Sequence, residues 1–464
     1  MAEVVDPVST ARKKYADGIT VDEKTGIKNY PLKLQPIPRL PWEDPHADHL
    51  MTQEALTFFC SGNRVISSTG SSLPPRLRTS TSEPQPVLLT GSNLIAPAMK
   101  WTLPYLEQHM GSNKHTVYIS KDNRKFKFYD EKKVIPDSGF REPMRKREWT
   151  FSKFADELRK RIAKNDSEAI YYQDALTDAV GEPIKHDFVH FNWQWLNERK
   201  KRYNWGQLTS NLLLIGQPGN ITPCHFDEQH NFFNQVYGEK RCILFSPENF
   251  HRLYPYPVSH PCDRQSQVDF DEPDLERFPN FQDCEGYECT VRAGEVLYIP
   301  MYWWHYFESI PKGQETISVT FWYKSGPLPN TIEYPLNGQQ KTAIMRNIEK
   351  MLIEALKDPK EVGPMLHAIL DGSLVSDLGS LVLAMGAMWV VVAAARGAAG
   401  KVVVGALVPI LVPMVGLVQV AVLLLLLLLV VGAALLLLLV ADGRGAALHL
   451  AAVGAESQQY DTHA

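Results

Sequence analysis

Two histidines and one aspartate are the residues of this 464-residue sequence whose types and spacing best suit chemistry. His225 and Asp227 stand two positions apart in the stretch ITPCHFDEQHNFF, and His305 lies much later, in VLYIPMYWWHYFES. Side chains two residues apart in a β-strand point to the same face, so this imidazole and carboxylate would project together. Two histidines and one carboxylate form a facial triad, which binds Fe(II) and leaves coordination positions open for a co-substrate and oxygen. We therefore predict a catalytic metal site at these three residues.

The setting of the His-x-Asp triplet matters, because such a triplet alone is a weak signal and is more often structural. His230 lies close by and has no such partner. His225 follows a turn at Gly219 and precedes a strand, and His305 follows a strand that ends at Pro300. This arrangement is typical of the two halves of a cupin barrel.

Lys240 is the next candidate, in the stretch GEKRCILF. If this stretch is a strand, Lys240 shares a face with Cys242 and Leu244, and a lysine on an apolar barrel face needs a partner. A dicarboxylate co-substrate would supply one. A lysine in water beside Glu239 at a turn is an equally good interpretation of the spacing.

Short apolar segments between about Leu208 and Tyr323 predict the elements that position these residues. NLLLIG, RCILF, EVLYIP and TISVTFWY are rich in aliphatic and aromatic residues and are separated by Gly, Pro and Asn. Several strands without long intervening helices indicate a mainly β fold with flanking helices, a double-stranded β-helix of the jelly-roll or cupin kind.

Helices are predicted on both sides of this region. Phe154, Leu158 and Ile162 repeat every four residues within 148–164. Two C-terminal segments, AIMRNIEKMLIEALKD and EVGPMLHAILDG, each have one apolar face, and Pro359 and Gly372 are expected to end them. These faces would pack on the barrel or on a second subunit.

Composition divides the chain into five predicted segments. They are a Pro-rich extended arm (1–54), a flexible Ser/Thr/Gly/Pro-rich insertion (55–85), the catalytic β domain with its N-terminal helical and strand elements (86–335), the C-terminal helices (336–372) and a hydrophobic low-complexity tail (373–464). Within the tail, residues 402–441 carry no charge, which makes them a candidate membrane segment. Forty residues would make a helix of about 60 Å, so a tilted span, a hairpin and a tail without a membrane role all remain open.

Charge and cysteine usage exclude several classes of function. The net charge is −4 and there is no long basic block, which argues against nucleic-acid binding. The six cysteines form no CxxC pair, which argues against a zinc ribbon. The N-terminus lacks the apolar core of a secretory signal, so we expect reduced thiols and a location in the cytoplasm and nucleus, with membrane anchoring through the tail as the alternative.

Four long motifs resemble one known family. TSNLLLIGQPGNITPCHFDEQHNFF, YPYPVSHPCDRQSQVDFD, VLYIPMYWWHYFES and EYPLNGQQKTAIMRNIEKMLIEAL closely resemble the JmjC-type 2-oxoglutarate oxygenases, specifically the asparaginyl hydroxylases typified by factor inhibiting hypoxia-inducible factor. The resemblance runs from about Gln35 to Gly372, apart from the insertion near 55–82. It implies a protein asparagine β-hydroxylase that uses Fe(II), 2-oxoglutarate and O2, releases succinate and CO2, and acts on the C-terminal activation segment of hypoxia-inducible factor α and on ankyrin-repeat proteins.

The resemblance also implies roles for individual residues. The positions that bind iron match His225, Asp227 and His305. Those that hold 2-oxoglutarate match Lys240, Thr222, Tyr171 and Asn231, and those that engage the target asparagine and its peptide match Gln265, Arg264, Gln229 and Trp322. Two positions depart from the family: Thr320 replaces an asparagine near the co-substrate, and Phe128 replaces a tyrosine that contacts substrate. Both are expected to change binding and not the iron ligands.

Three further expectations follow from the resemblance and its alternatives. The faces around Leu352, Leu356 and Leu366 match helices that form a homodimer in the family, so a homodimer is predicted. A JmjC histone lysine demethylase would use the same triad. A catalytically silent cupin binding protein held at a membrane by the tail is the alternative outside enzymes.

Overall fold

Two facing β-sheets form the centre of the fold in a computed structural model of the chain. The structure describes residues 7–52, 83–120, 124–136, 138–166, 168–176, 180–327 and 334–370. The predicted insertion falls mostly outside these ranges, and the tail with its candidate membrane segment lies wholly outside them. Within the described ranges, no helix has the length and apolar character needed to cross a bilayer. The chain divides into two compact units, Met1–Pro364 and Met365–Ala464, and the site lies in the first.

Strands outnumber α-helices in the described part of the chain. The strands are β1 Thr20–Val21, β2 Lys28–Asn29, β3 Lys33–Pro36, β4 Arg39–Pro41, β5 Val87–Thr90, β6 Lys114–Ser120, β7 Met144–Thr150, β8 Ile170–Ala175, β9 Leu208–Gly216, β10 Ile221–Phe226, β11 His230–Tyr237, β12 Glu239–Phe245, β13 Glu285–Arg292, β14 Val296–Ile299, β15 Trp304–Ser309 and β16 Thr316–Tyr323. The α-helices are α1 Pro7–Gly18, α2 Pro45–Met51, α3 Leu103–His109, α4 Phe151–Lys164, α5 Glu182–Val189, α6 Trp193–Arg202, α7 Phe250–Leu253, α8 Gly338–Leu356 and α9 Val362–Leu370.

The eight strands from β9 to β16 confirm the predicted double-stranded β-helix. Strands β10, β15, β12 and β13 are neighbours in one sheet, and β14, β11, β16 and β9 are neighbours in the other. All six pairings inside these two sets are antiparallel. β3 extends the first sheet, and β4 and β5 with β8, β6 and β7 extend the second. The two inner faces meet in one apolar cluster, where the Phe233 and Phe307 rings stack with centroids 4.4 Å apart.

Burial on both faces explains why β11 does not alternate between apolar and polar residues. Phe233 points into the space between the sheets, whereas Phe232 and Val236 pack on the other side against Trp195 and Trp205. A strand covered on both faces has no solvent side on which polar residues are favoured.

The helices predicted within 148–164 and in the C-terminal region are present, but their ends differ from the sequence patterns. α4 begins at Phe151, where the Thr150 side chain caps it, and it buries Phe154 and Leu158 but leaves Ile162 exposed. α8 begins at Gly338, several residues before the predicted start, because Asn337 and Gln340 form a capping box. The predicted cap Gly372 lies outside the described residues.

The side of α8 that the first unit buries coincides only in part with the predicted apolar face, because it includes Leu352 of that face together with polar residues. Its buried residues include Thr342, Arg346 and Leu352, whereas Ile344 is 40% exposed. The homodimer through the apolar faces of α8 and α9 is not tested by a single chain and stays a prediction.

The N-terminal segment is not an extended arm throughout, so this prediction was wrong in part. Its extended stretches, β3 and β4, pair in parallel with β13 and β5, but α1 and α2 are helices. Tyr15 of α1 and Tyr30 pack on the outer face of the first sheet beside Tyr306. Apolar burial against the barrel therefore gives this Pro-rich segment a fixed structure that composition alone did not indicate.

Glu308 of β15 is buried beside these tyrosines, and we expect it to make stability depend on pH. Its Oε2 atom accepts no hydrogen bond within the described residues, since Arg241, opposite in register, bonds Glu288 instead. Burial raises the pKa of Glu308 from 4.5 to about 7, against the attraction of Arg241. An acid with a raised pKa in the folded state destabilises that state as pH rises through this window.

The Glu308→Gln variant is therefore expected to be more stable than the parent chain, by roughly 3 kcal/mol at pH 8 and by less than about 1 kcal/mol at pH 5. Urea unfolding of both proteins at the two pH values measures this. A stability difference that is equal at pH 5 and pH 8 would contradict the assignment.

Candidate metal centre

The three predicted metal ligands meet at one end of the barrel. His225 of β10 and His305 of β15 are register partners on adjacent antiparallel strands, and their ring centroids are 4.1 Å apart. Asp227 lies one residue beyond the end of β10, so the same-strand argument was only approximately right. One nitrogen from each imidazole and one carboxylate oxygen nevertheless lie within 4.8 Å of one another. The three side chains thus lie close enough to share one cation, and their role as metal ligands stays a prediction.

Backbone carbonyls select the tautomer of both imidazoles. His225 Nδ1 lies 2.9 Å from the Pro223 carbonyl oxygen, and His305 Nδ1 lies 3.0 Å from that of Trp303. A carbonyl oxygen only accepts, so each Nδ1 carries the proton and donates it. The Nε2 lone pair of each ring is left for a metal, as in most histidine metal sites.

The protonation states also suit a cation. Desolvation by the barrel, with a contribution from the neighbouring His305 ring, lowers the pKa of His225 to about 3, and desolvation lowers the pKa of His305 as well. Burial alone would raise the pKa of Asp227, but the two imidazoles and the Arg264 guanidinium outweigh it and hold the pKa at about 2. At neutral pH the site therefore presents two neutral imidazoles and one carboxylate, which are the forms that bind metal.

Two further side chains orient the carboxylate. Arg264 donates from Nη1 to Asp227 Oδ1 at 2.8 Å, and Trp322 donates from Nε1 to Oδ2 at 3.2 Å. Arg264 has a positive φ of 68°, a backbone conformation that a non-glycine residue adopts at a free-energy cost. The predicted substrate residues Arg264 and Trp322 are thus both brought to the triad.

The donor set fits Fe(II) better than a structural cation. Two imidazole nitrogens and one carboxylate oxygen form the facial set of non-haem iron oxygenases, whereas structural zinc sites have four protein ligands and favour cysteine. Within the described part of the chain, no other group of three or more His, Cys, Asp and Glu residues has a ligand geometry. His225 and Asp227 are half-buried and His305 is buried, so one side of the site stays open.

Lys240 lies inside the barrel and not in water. It is only 3% exposed, and its register partners place it on the inner face with Cys242 and Leu244, which belong to the inner apolar cluster. Its Nζ donates to Tyr171 Oη at 3.0 Å, and no ion pair with a carboxylate is found for it within the described residues. A buried ammonium beside a phenol alone leaves a place for an anion, so the alternative of a solvated turn lysine was wrong.

Other predicted co-substrate residues lie on the same inner surface. Asn231 Oδ1 and Thr320 Oγ1 are buried without a hydrogen-bond partner in the described chain. Thr222 pairs with Phe307, and a bulge between Thr222 and His225 lets these two residues share the inner face although they are three positions apart. Buried polar atoms are almost always satisfied, so the two unpaired oxygens indicate a polar molecule between the sheets.

The predicted substrate residues divide into two groups. Gln265 is 2% exposed, forms a backbone bridge with His225, and has an unpaired Oε1 among the described residues. Gln229 Oε1 accepts from Thr209 Oγ1 at 2.7 Å. Phe128, in contrast, is 46% exposed. The structure thus brings Gln265 to the metal centre but leaves the role of Phe128 as a prediction.

Residues around the site that sequence reasoning missed include Arg346, Glu228 and Asp263. Arg346 forms ion pairs with both carboxylates at 2.7 and 2.8 Å. No local pattern could have revealed this cluster, because its members come from three distant segments.

A separate cavity of about 440 Å³ lies beside β10 and contains none of the three triad residues. It is lined by Pro223, Cys224, Tyr256 and His260, among others.

The matches to known proteins agree with this fold and site. A family model described as a Cupin-like domain matches residues 75–328, more than half of the chain. The chain is 30% identical to lysine-specific demethylase JMJ30 of Arabidopsis thaliana over 264 aligned residues. The aligned residues make up 56% of this chain and 55% of that protein. It is 42% identical over 96 residues to JmjC domain-containing protein D of Dictyostelium discoideum, 21% of each chain. It is 28% identical over 226 residues to tRNA wybutosine-synthesizing protein 5 of Gallus gallus, 48% of this chain and 65% of that protein.

The chain spans about half the length of the Arabidopsis protein and about a fifth of the Dictyostelium one. The domain match, the two facing sheets and the triad between them all lead to the same assignment. The chain belongs to the Cupin-like domain family, and its relatives include proteins named as JmjC lysine demethylases.

Proposed function

We propose that the protein is an Fe(II)- and 2-oxoglutarate-dependent oxygenase that hydroxylates an asparagine side chain of a protein substrate. The observation that carries the proposal is the triad of His225, Asp227 and His305, with both Nε2 atoms free of protons and ligand atoms within 4.8 Å. Such a site leaves positions for a co-substrate and O2. Since a fold hosts many activities, the choice of reaction rests on these residues and not on the barrel.

Each side chain has a defined task in this proposal. Bound iron with 2-oxoglutarate and O2 supplies the oxidant, and the protein supplies position and a dry surface. Lys240 and Tyr171, 3.0 Å apart, would bind the distal carboxylate of 2-oxoglutarate inside the barrel. Arg264 and Trp322 hold the Asp227 carboxylate so that it presents one oxygen to the metal.

An asparagine target is supported by the carboxamide of Gln265. Its Oε1 is a buried, unpaired acceptor in the described chain, the Gln265 backbone bridges to His225, and the amide of a substrate asparagine offers donors that would satisfy this oxygen. A site built around a buried polar group rejects ligands that leave this group unpaired. Hypoxia-inducible factor α and ankyrin-repeat segments are the protein substrates to test first.

Lysine demethylation is the second candidate, because relatives of this chain carry that name. A methylated ammonium cation would need acidic or aromatic groups around it. The carboxylate at the triad, Asp227, already interacts with Arg264 and Trp322. We therefore place demethylation second.

One assay separates the two candidates. The full chain, Fe(II), 2-oxoglutarate and O2 are incubated with matched peptides that contain either asparagine or methylated lysine, and products are analysed by mass spectrometry. We expect one added oxygen on asparagine. Loss of methyl groups from lysine would decide for demethylation, and consumption of 2-oxoglutarate with neither product would reject both substrates.

The Gln265→Leu variant tests the proposed amide contact. Leucine has a similar volume but no polar atoms, so we expect asparagine hydroxylation to fall by roughly 10-fold or more, which corresponds to one lost buried hydrogen bond. Metal binding should stay unchanged, because Gln265 is not one of the three triad residues and the variant keeps its backbone bridge to His225. Equal hydroxylation by the variant and the parent chain would remove Gln265 from the substrate site.

A further inference from the structure

The C-terminal helix α8 reaches the metal centre through one buried cation. Arg346 is 3% exposed, and its guanidinium makes three hydrogen bonds. Nε donates to Glu228 Oε1 at 2.7 Å, and Nη1 and Nη2 donate to the two oxygens of Asp263 at 2.8 and 3.1 Å. The guanidinium carbon also lies 5.3 Å from the centre of the Phe226 ring. Each of the three guanidinium nitrogens thus donates to a segment beside the triad.

Both carboxylates that Arg346 holds are direct chain neighbours of the metal-site residues. Glu228 follows Asp227, and Asp263 precedes Arg264, the residue that donates to Asp227 Oδ1. The two segments also bond each other, since the Phe226 N–H donates to the Arg264 carbonyl at 3.1 Å. Arg346 therefore binds the chain neighbours of both Asp227 and Arg264, the two residues whose hydrogen bond orients the Asp227 carboxylate.

Other charges in this cluster favour the same arrangement. Lys133 donates to Asp263 Oδ2 at 2.9 Å, Lys350 lies 3.5 Å from Glu228, and Glu349 accepts the Val258 N–H at 2.7 Å. Asp263 is buried, so loss of Arg346 would leave a carboxylate with only one cationic partner in the described chain. The planar fork of arginine serves two carboxylates at once, which a lysine cannot do.

We propose that Arg346 is a positioning residue for the metal centre: by clamping Glu228 and Asp263 it holds Arg264 against Asp227 and so sets the orientation of the metal-binding carboxylate. The inference rests on the proposed metal site. It goes beyond that site because it makes α8 part of the metal centre, although no atom of Arg346 bonds a triad side chain in the described structure.

The test measures Mn(II) affinity by electron paramagnetic resonance and the visible spectrum of the Co(II)-loaded full chain. Partners outside the ligand shell contribute 10- to 100-fold to metal affinity, so we expect the Mn(II) dissociation constant of Arg346→Gln to rise about 10-fold. Arg346→Lys keeps the charge but loses the fork, so its rise should be smaller. Both variants should shift the Co(II) spectrum, which loss of stability alone would not do.

Lys341→Gln is the matched control. Lys341 also lies on α8, but its Nζ pairs with Glu248 Oε1 at 3.0 Å, and neither residue belongs to the triad. It should leave both readouts unchanged. Should Arg346→Gln fail to fold, Glu228→Gln tests the same link with a half-exposed partner, and a rise of a few fold is expected. Folded variants that bind Mn(II) as tightly as the parent, with an unaltered Co(II) spectrum, would overturn the positioning role. Failure of the parent chain to bind either metal would instead reject the proposed function.

Discussion

Replacing His225 by alanine is expected to lower metal affinity by more than about 100-fold and to abolish succinate formation. Removal of a partner outside the ligand shell already costs 10- to 100-fold in affinity, so removal of a ligand should cost more. The remaining ligands, His305 Nε2 and one oxygen of Asp227, lie 3.6 Å apart and would form only two bonds to a metal. An iron ion held by two protein ligands has no fixed orientation for a co-substrate.

Two measurements check this result: Fe(II) titration of the anaerobic full chain, and succinate release in the presence of an asparagine-containing peptide. His251→Ala, an exposed histidine of α7, serves as the control and should match the parent chain. Unchanged affinity in His225→Ala would show that the triad does not hold the metal. A parent chain that binds Fe(II) but forms no succinate with any peptide would favour a silent binding protein.

The barrel was predictable because its strands carry a local signal. TISVTFWY and EVLYIP combine β-branched and aromatic residues between turn residues, and both regions form strands, β16 and β14. The triad was predictable for a similar reason, since a His-x-Asp at a strand end and a distal histidine on the partner strand are enough to place three ligands together.

The remaining features depend on contacts between distant segments. The spacing around Lys240 could not decide between water and the barrel interior, because that choice depends on how β12 faces the other sheet. The N-terminal helix α1 carries no strong pattern and packs through Tyr15 on a surface that only the assembled barrel provides. In the sequence, Arg346 is one of several charged residues on an amphipathic helix. Only the structure shows that its guanidinium lies between Glu228 and Asp263.

Lys240→Met is expected to change stability and co-substrate binding in opposite directions. The ammonium of Lys240 is enclosed by the rings of Tyr171 and Phe233, at 5.1 and 5.4 Å from their centres, and its Nζ donates a hydrogen bond to the Tyr171 phenol. A buried charge with so little compensation destabilises the protein without co-substrate. Methionine fills a similar volume without a charge, so we expect the free energy of unfolding of the variant to be about 1–3 kcal/mol higher than that of the parent chain.

The same substitution should weaken 2-oxoglutarate binding by at least about 30-fold, because truncating one partner of a buried charge pair costs about 2–5 kcal/mol. Urea unfolding of the metal-free chain measures the first effect, and calorimetric titration of 2-oxoglutarate into the Mn(II)-loaded chain measures the second. Tyr171→Phe is the matched control, since it removes one hydrogen bond and keeps the charge, and its loss of affinity should be several-fold smaller.

The opposite signs make this prediction specific to a binding role. A lysine retained for packing would lower stability when replaced and leave 2-oxoglutarate binding unchanged. A buried lysine that binds a dicarboxylate lowers the stability of the folded protein while the dicarboxylate is absent. Binding of the dicarboxylate offsets this loss of folding free energy. If Lys240→Met is less stable than the parent chain yet binds 2-oxoglutarate equally well, the co-substrate site does not include β12. The unpaired oxygens of Asn231 and Thr320 in the described chain would then require another polar molecule as their partner.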